Sequence, residues 1–171
     1  MFLEFPDDRT THHLDRQYML GPSLLIAPVF VPDGEESEYY IPEGVWTNLV
    51  HPDIKVTGPK WIREVVPIDE IPVWVRPGTV LCLGRDQVGR PDYEFNKELE
   101  IRLYEVNEGA TNVPGASGNV VGSVKVKTVG DMKEITMKGD VDIETVTLVE
   151  GDGFVTKKAK DGGTGFIIRR G

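Results

Sequence analysis

The chain has 171 residues, of which 28 are acidic and 19 basic, giving a net charge of −9 and an apolar share of 39%. That length holds one large domain or two small ones, and the apolar share lies well above the range of disordered segments. The acidity excludes a nucleic-acid binder, because phosphate contact needs clustered Lys and Arg, and no apolar run reaches the length of a membrane helix.

Taken in chain order, Phe2–Phe5 predicts a short apolar strand stopped by Pro6-Asp7-Asp8. Thr10 or Thr11 then caps a helix over Thr11–Leu20, with Leu14 and Tyr18 on one face. Gly21 supplies its left-handed end and Pro22 prevents continuation. A helix of about ten residues is marginal alone, so this pair of elements needs something to pack on.

From Leu24 the pattern turns to short β-rich runs between turn residues. Leu24–Phe30 is almost wholly apolar, and Pro28 within it predicts an edge or bulged strand. Tyr39–Ile41, Val45–Leu49, Ile54–Thr57, Trp61–Val66, Val73–Val75 and Thr79–Leu83 follow, with turn signals at Glu43-Gly44 and Pro77-Gly78. Trp46, Trp61 and Trp74 fall on three of these runs and predict a shared aromatic core; a sugar-stacking platform is the alternative. Cys82 is the single cysteine. It sits in Val80-Leu81-Cys82-Leu83 and reads as a small buried hydrophobe, not a nucleophile.

Gly84–Lys97 is polar and loop-like, and a domain boundary is placed at residues 94/95. Beyond it alternation is clear. Leu99, Ile101 and Leu103 face one way, and Glu100, Arg102 and Tyr104 the other. Val124 and Val126 alternate with Lys125 and Lys127, Ile135 and Met137 flank Thr136, and Val141–Val149 and Gly165–Ile168 complete the set. Turns at Gly109, Gly115-Ala116-Ser117-Gly118, Gly130-Asp131, Gly139-Asp140, Gly151-Asp152-Gly153 and Gly162-Gly163 give the rhythm of an antiparallel sandwich or barrel. The local basic clusters, Lys157-Lys158 with Lys160 and Arg169-Arg170, read as solvated surface.

The residues show no self-contained active site. His12-His13 are adjacent, so on a helix their side chains diverge, and no third ligand stands at usable spacing; no metal is expected. His51 stands alone. The β-rich body raises the thought of a metal-binding double-stranded β-helix, but the strands carry no histidine. No cofactor motif is present, and Gly115–Gly118 is a hairpin turn, not a phosphate loop. A retaining glycosidase needs two carboxylates at about 5–5.5 Å on opposite sides of the bond it cleaves. Asp7-Asp8 is the most suggestive pair, but neighbours on one loop rarely meet that geometry, and a turn after Pro6 is the simpler reading.

Five motifs carry a family resemblance through their order and spacing. They are Asp15-Arg16-Gln17-Tyr18-Met19-Leu20-Gly21, Leu24-Leu25-Ile26-Ala27-Pro28-Val29, Tyr40-Ile41-Pro42-Glu43-Gly44-Val45-Trp46, Gly58-Pro59-Lys60-Trp61 and Ile71-Pro72-Val73-Trp74-Val75-Arg76-Pro77-Gly78. Together they resemble the C-terminal part of a family 31 glycoside hydrolase, in its α-xylosidase-like branch, and Arg90-Pro91-Asp92-Tyr93 adds to the likeness. The resemblance covers about residues 1–92; beyond residue 100 only the general character of a terminal β-domain is shared.

That resemblance implies a retaining α-glycosidase whose (β/α)8 barrel carries a nucleophile and an acid/base aspartate, followed by two β-domains. On this plan residues 1–21 are the last barrel strand and helix, 22–94 a proximal β-domain and 95–171 a distal β-sandwich. The expected fold is mainly β: two small antiparallel sandwiches preceded by one residual βα unit. The nucleophile and acid/base motifs of the family do not occur here, and Gly151-Asp152-Gly153-Phe154 only brushes the latter. No catalytic residue is therefore carried over. The chain is expected to be a structural C-terminal fragment, inactive alone and meeting carbohydrate only through a barrel that lies outside it. Asp7 and Asp8 follow the eighth-strand candidate, so they would stand near the catalytic face, where active sites of such barrels lie.

Two other readings belong to different classes. One is a carbohydrate-binding module. The other is self-association through the apolar surface of Phe2–Leu20. The N-terminus shows no basic region followed by an apolar stretch, so no signal peptide is expected, which points to an intracellular chain.

Overall fold

The computed structural model describes residues 1–84, 94–151, 153–158 and 165–169. Contacts divide the chain into Met1–Pro77 and Gly78–Gly171, and the fold is mainly β.

The first unit is one five-stranded antiparallel sheet. It is built from β1 (Tyr18–Leu20), β2 (Leu24–Ile26), β3 (Glu36–Asn48), β4 (Lys55–Val65) and β5 (Val73–Val75), in the order β1-β2-β5-β3-β4. The β3–β4 hairpin dominates. It absorbs the four runs expected at Tyr39–Ile41, Val45–Leu49, Ile54–Thr57 and Trp61–Val66 into two long strands. The ladder slips between Ile41 and Gly44, so Pro42 sits in a bulge instead of ending the strand. Pro28 also spares its strand, because β2 stops at Ile26. The expected edge strand is thus an internal one, paired on both sides.

The core of this unit gathers Leu25, Ala27, Tyr39, Ile41, Trp46 and Trp74, with Met1, Phe5, Met19, Val56 and Ile62 packed against them. Trp46 and Trp74 are sealed, and the indole Nε1 of Trp46 donates to the Pro42 carbonyl at 3.0 Å. The shared aromatic core therefore holds for two of the three tryptophans. Trp61 is 48% exposed.

The N-terminal segment corrects two expectations. Phe2–Phe5 forms turns instead of a strand, and Thr11–Leu20 forms no helix: a 3-10 turn at Arg9–His13 is followed by the extended residues of β1. Tyr18–Leu20 instead finds Leu24–Ile26 as a partner, with Gly21 at φ 62° opening the connecting turn.

The second unit is a sandwich of two four-stranded sheets. Its strands are β6 (Thr79–Leu83), β7 (Leu99–Tyr104), β8 (Glu108–Pro114), β9 (Val120–Val129), β10 (Met132–Gly139), β11 (Ile143–Glu150), β12 (Gly153–Lys158) and β13 (Gly165–Arg169). One sheet runs β12-β11-β7-β6, the other β13-β10-β9-β8. Both send alternate residues into a single core: Leu99, Ile101, Leu103, Val146 and Leu148 from one, Val113, Val124, Val126, Ile135 and Ile168 from the other. All pairings are antiparallel except β7–β11, which become parallel because the chain passes through three strands of the opposite sheet between them.

Thr79–Leu83, expected in the first domain, pairs with Leu99–Tyr104 across the loop that suggested the boundary. The division accordingly falls at Pro77/Gly78 and not at 94/95. Most of the polar stretch at 84–97 lies outside the described residues, and composition alone does not separate a connection between paired strands from a linker. Arg90-Pro91-Asp92-Tyr93, Gly162-Gly163, Asp152, Lys160 and Arg170 lie outside the described residues.

Gly58 is the tightest point of the long hairpin: a Cβ there would lie 2.0 Å from the Pro42 carbonyl oxygen and 2.7 Å from that of Ile41. Gly21 has open space around it and only its positive φ to defend. Gly58→Ala is therefore expected to cost the first unit about 2–3 kcal/mol, against roughly 1 kcal/mol for Gly21→Ala, read as urea midpoints at constant slope. Equal losses would contradict the close backbone approach.

Candidate functional site

Asp7 and Asp8, adjacent in sequence, do different things. Asp7 is exposed. Asp8 is engaged at both carboxylate oxygens: Oδ1 accepts from the Thr10 backbone N–H at 3.0 Å, and Oδ2 from the Tyr40 hydroxyl at 2.7 Å. The first contact caps the 3-10 turn, and the second ties that turn to β3. Thr11 seals it from the other side, donating its hydroxyl to the carbonyls of Phe5 and Asp8 at 2.9 and 2.8 Å. Burial, then the bond to Asp8, pushes the Tyr40 hydroxyl above the ordinary tyrosine range.

Tyr40 is held at its backbone as well. Buried Gln17 donates its amide to the Tyr40 carbonyl and accepts from the Tyr40 N–H, both at 2.7 Å. The Trp61 ring lies 5.3 Å from the Tyr40 ring, tilted by 56°. Arg76, just after β5, bonds Glu4 and the Pro22 carbonyl, and its guanidinium stands 4.9 Å over the Phe5 ring. A second buried chain runs from Trp74 Nε1 to the Tyr39 hydroxyl at 3.2 Å, and from that hydroxyl to Glu64. Burial first, and then Glu64, drives the Tyr39 hydroxyl far upward, so it stays protonated.

Around Trp61 the surface folds into a concavity of about 310 Å³. Phe30 lines it, as do Asp15, Arg16, Glu36 and Glu38. It is the one place in the first unit where an exposed indole meets charges of both signs within a described pocket. Sequence reasoning placed Trp61 in the core. The signal against that was its setting in β4, whose residues are mostly polar and exposed.

Elsewhere several titratable groups are committed to the fold. His12 Nε2 lies 2.9 Å from the Pro6 carbonyl, and His51 Nε2 lies 3.1 Å from Glu70. No group of three or more His, Cys, Asp or Glu among the described residues is placed to hold a metal. Cys82 packs against the sandwich core, and burial pushes its thiol up to about 12, so it has little thiolate character. In the second unit Lys133 and Glu150, both 7% exposed, form a buried ion pair at 2.7 Å. Lys133 also donates to the Val106 carbonyl and to the Thr128 hydroxyl.

Residues 1–81 match the sequence model of the glycosyl hydrolase family 31 C-terminal domain. Over these residues the chain carries the C-terminal domain of glycosyl hydrolase family 31. It is 30% identical over 169 residues to the α-xylosidase XylQ of Lactiplantibacillus pentosus, covering 95% of this chain and 22% of that protein. It is 40% identical over 123 residues to an α-xylosidase of Emericella nidulans, covering 61% of this chain and 16% of that one. The chain thus spans about a fifth of the length of the curated relatives it matches. Among solved structures, a family 31 α-xylosidase from Xanthomonas citri superposes over 99% of this chain and 21% of its own, with a TM-score of 0.69 at 20% identity. At that identity the match speaks for the fold.

Within this family 31 domain the recognised motifs coincide with the contacts just described. Gln17, Tyr40, Trp46, Gly58, Trp74 and Arg76 hold the sheet, the bulge and the N-terminal segment together. The motifs mark packing.

Removing one member of the Lys133–Glu150 pair leaves the other buried and charged. Lys133→Met is expected to cost about 3–5 kcal/mol in denaturant unfolding of the second unit, and Lys133→Met with Glu150→Leu to recover most of it. Simple additivity of the two losses would contradict the pairing.

Proposed function

We propose that this chain is the C-terminal β-structured part of a retaining α-glycosidase of family 31, an O-glycosyl hydrolase acting on α-xylosides or, as the alternative, on α-glucosides, and that the chain alone is structural. The observation that carries the reading is the match to one α-xylosidase along 95% of the chain and to another along 61%, joined to a domain whose motif residues are spent on packing. Neither family catalytic motif occurs in the 171 residues, and Asp8 is occupied by the Thr10 cap and by Tyr40. In such an enzyme the domain would bury apolar surface against the barrel and steady the loops at its catalytic face, with Asp7 at that rim.

A specific observation supports the surface assigned to this docking. Phe2, Leu3, Tyr18 and Leu20 are 54%, 84%, 49% and 57% exposed, which is unusual for large apolar side chains gathered in one short segment. The same surface offers a route to self-association when the chain is alone.

Two measurements test the reading. The purified chain is expected to release no nitrophenol from aryl α-xyloside or α-glucoside, whereas a chimera carrying it in place of the matching C-terminal part of an α-xylosidase hydrolyses the xyloside with retention. Robust turnover by the chain itself would contradict the structural role. Light scattering of the isolated chain is expected to show concentration-dependent association that Leu3→Glu with Leu20→Glu abolishes; a monomer at all concentrations would remove self-association.

A further inference from the structure

We infer that the concavity around Trp61 is a binding subsite for a single pyranose unit. The choice of a sugar class rests on the family 31 reading; the site itself rests on the following geometry.

Trp61 is half exposed yet fixed from behind, because its ring abuts that of buried Tyr40. Tyr40 in turn is pinned by Asp8 at its hydroxyl and by Gln17 at its backbone. A flat apolar face held rigid at the surface is what the C–H face of a pyranose packs against, and rigidity lowers the ordering cost of binding. Phe30, 63% exposed, adds a second apolar wall.

The polar lining disfavours an anion and suits hydroxyl groups. Asp15, Glu36 and Glu38 stand on the same concavity as Arg16 and His13. An anion would face three carboxylates against one guanidinium, whereas hydroxyl groups both donate to carboxylates and accept from Arg16. Glu38 is already paired with Arg63, so Asp15, Glu36 and Arg16 are the groups left to meet hydroxyls. The volume of about 310 Å³ stands at the lower end of the roughly 300–1,000 Å³ usual for small-molecule sites, which fits one ring and not a long oligosaccharide.

The test is calorimetric titration of the intact 171-residue chain with methyl α-xyloside and methyl α-glucoside, and with glucose 6-phosphate as an anionic comparator. The expected result is saturable binding of the neutral glycosides with Kd on the order of 1 mM, and binding of glucose 6-phosphate at least tenfold weaker. Trp61→Ala should weaken binding tenfold or more, and Trp61→Tyr should keep most of it, with circular dichroism showing both folded. Asp15→Asn with Glu36→Gln should weaken it without altering the fold. No saturable heat up to saturating glycoside, or equal binding by Trp61→Ala, overturns the subsite. The family 31 reading is judged separately by the chimera's hydrolysis, which does not use Trp61.

Discussion

Tyr40 is the residue on which the first unit hangs. Its backbone takes both hydrogen bonds of the Gln17 amide, its hydroxyl is held by Asp8, and its ring backs Trp61. The Gln17 and Asp8 contacts span 23 to 32 residues of sequence, so they tie the N-terminal segment to the central hairpin at the expense of considerable chain entropy. With that segment in place, Phe5 can pack on Trp46 at 6.2 Å and Arg76 can close over Phe5. The exposed indole keeps one orientation for the same reason. Asp8 thus has its effect through geometry: a carboxylate in a turn that catalytic reasoning would notice is consumed in holding two elements together.

Much of the fold was legible from period and punctuation. Val73–Val75 and Thr79–Leu83 form as expected, and alternation at Leu99, Ile101 and Leu103 correctly announced an inward-facing strand. What failed did so where local pattern and tertiary pairing disagree. Leu14 and Tyr18 are spaced for a helix, but Tyr18–Leu20 pairs with Leu24–Ile26, and a short helix lacks the intrinsic stability to resist that. Glu43-Gly44 reads as a turn between two strands, and the stretch is instead absorbed as a bulge in one long strand, at a closeness Gly58 permits. The boundary went astray because a loop between two paired strands and a linker between two domains share a composition.

The candidate site was less legible. Sequence singled out Asp7-Asp8 by their adjacency, but adjacency says nothing of partners, and the Tyr40 contact lies 32 residues away. Three tryptophans on three apolar runs suggested one core; only the surface position of β4 separates Trp61 from Trp46 and Trp74. The family motifs gave the right identification for a reason invisible in the sequence: they record residues that fasten the sheet. The buried Lys133–Glu150 pair left no sequence trace at all, since each residue alone reads as a solvated charge at a strand.

The central claim is that Asp8 and Tyr40 act as a structural pair. A double-mutant cycle of Asp8→Asn and Tyr40→Phe on the unfolding free energy of the intact chain tests it most directly. The account predicts a coupling of about 1 kcal/mol between the two, with loss of hydrogen-exchange protection at the Thr10 and Thr11 amides in each single variant. Additive effects, with those amides unchanged, would contradict it.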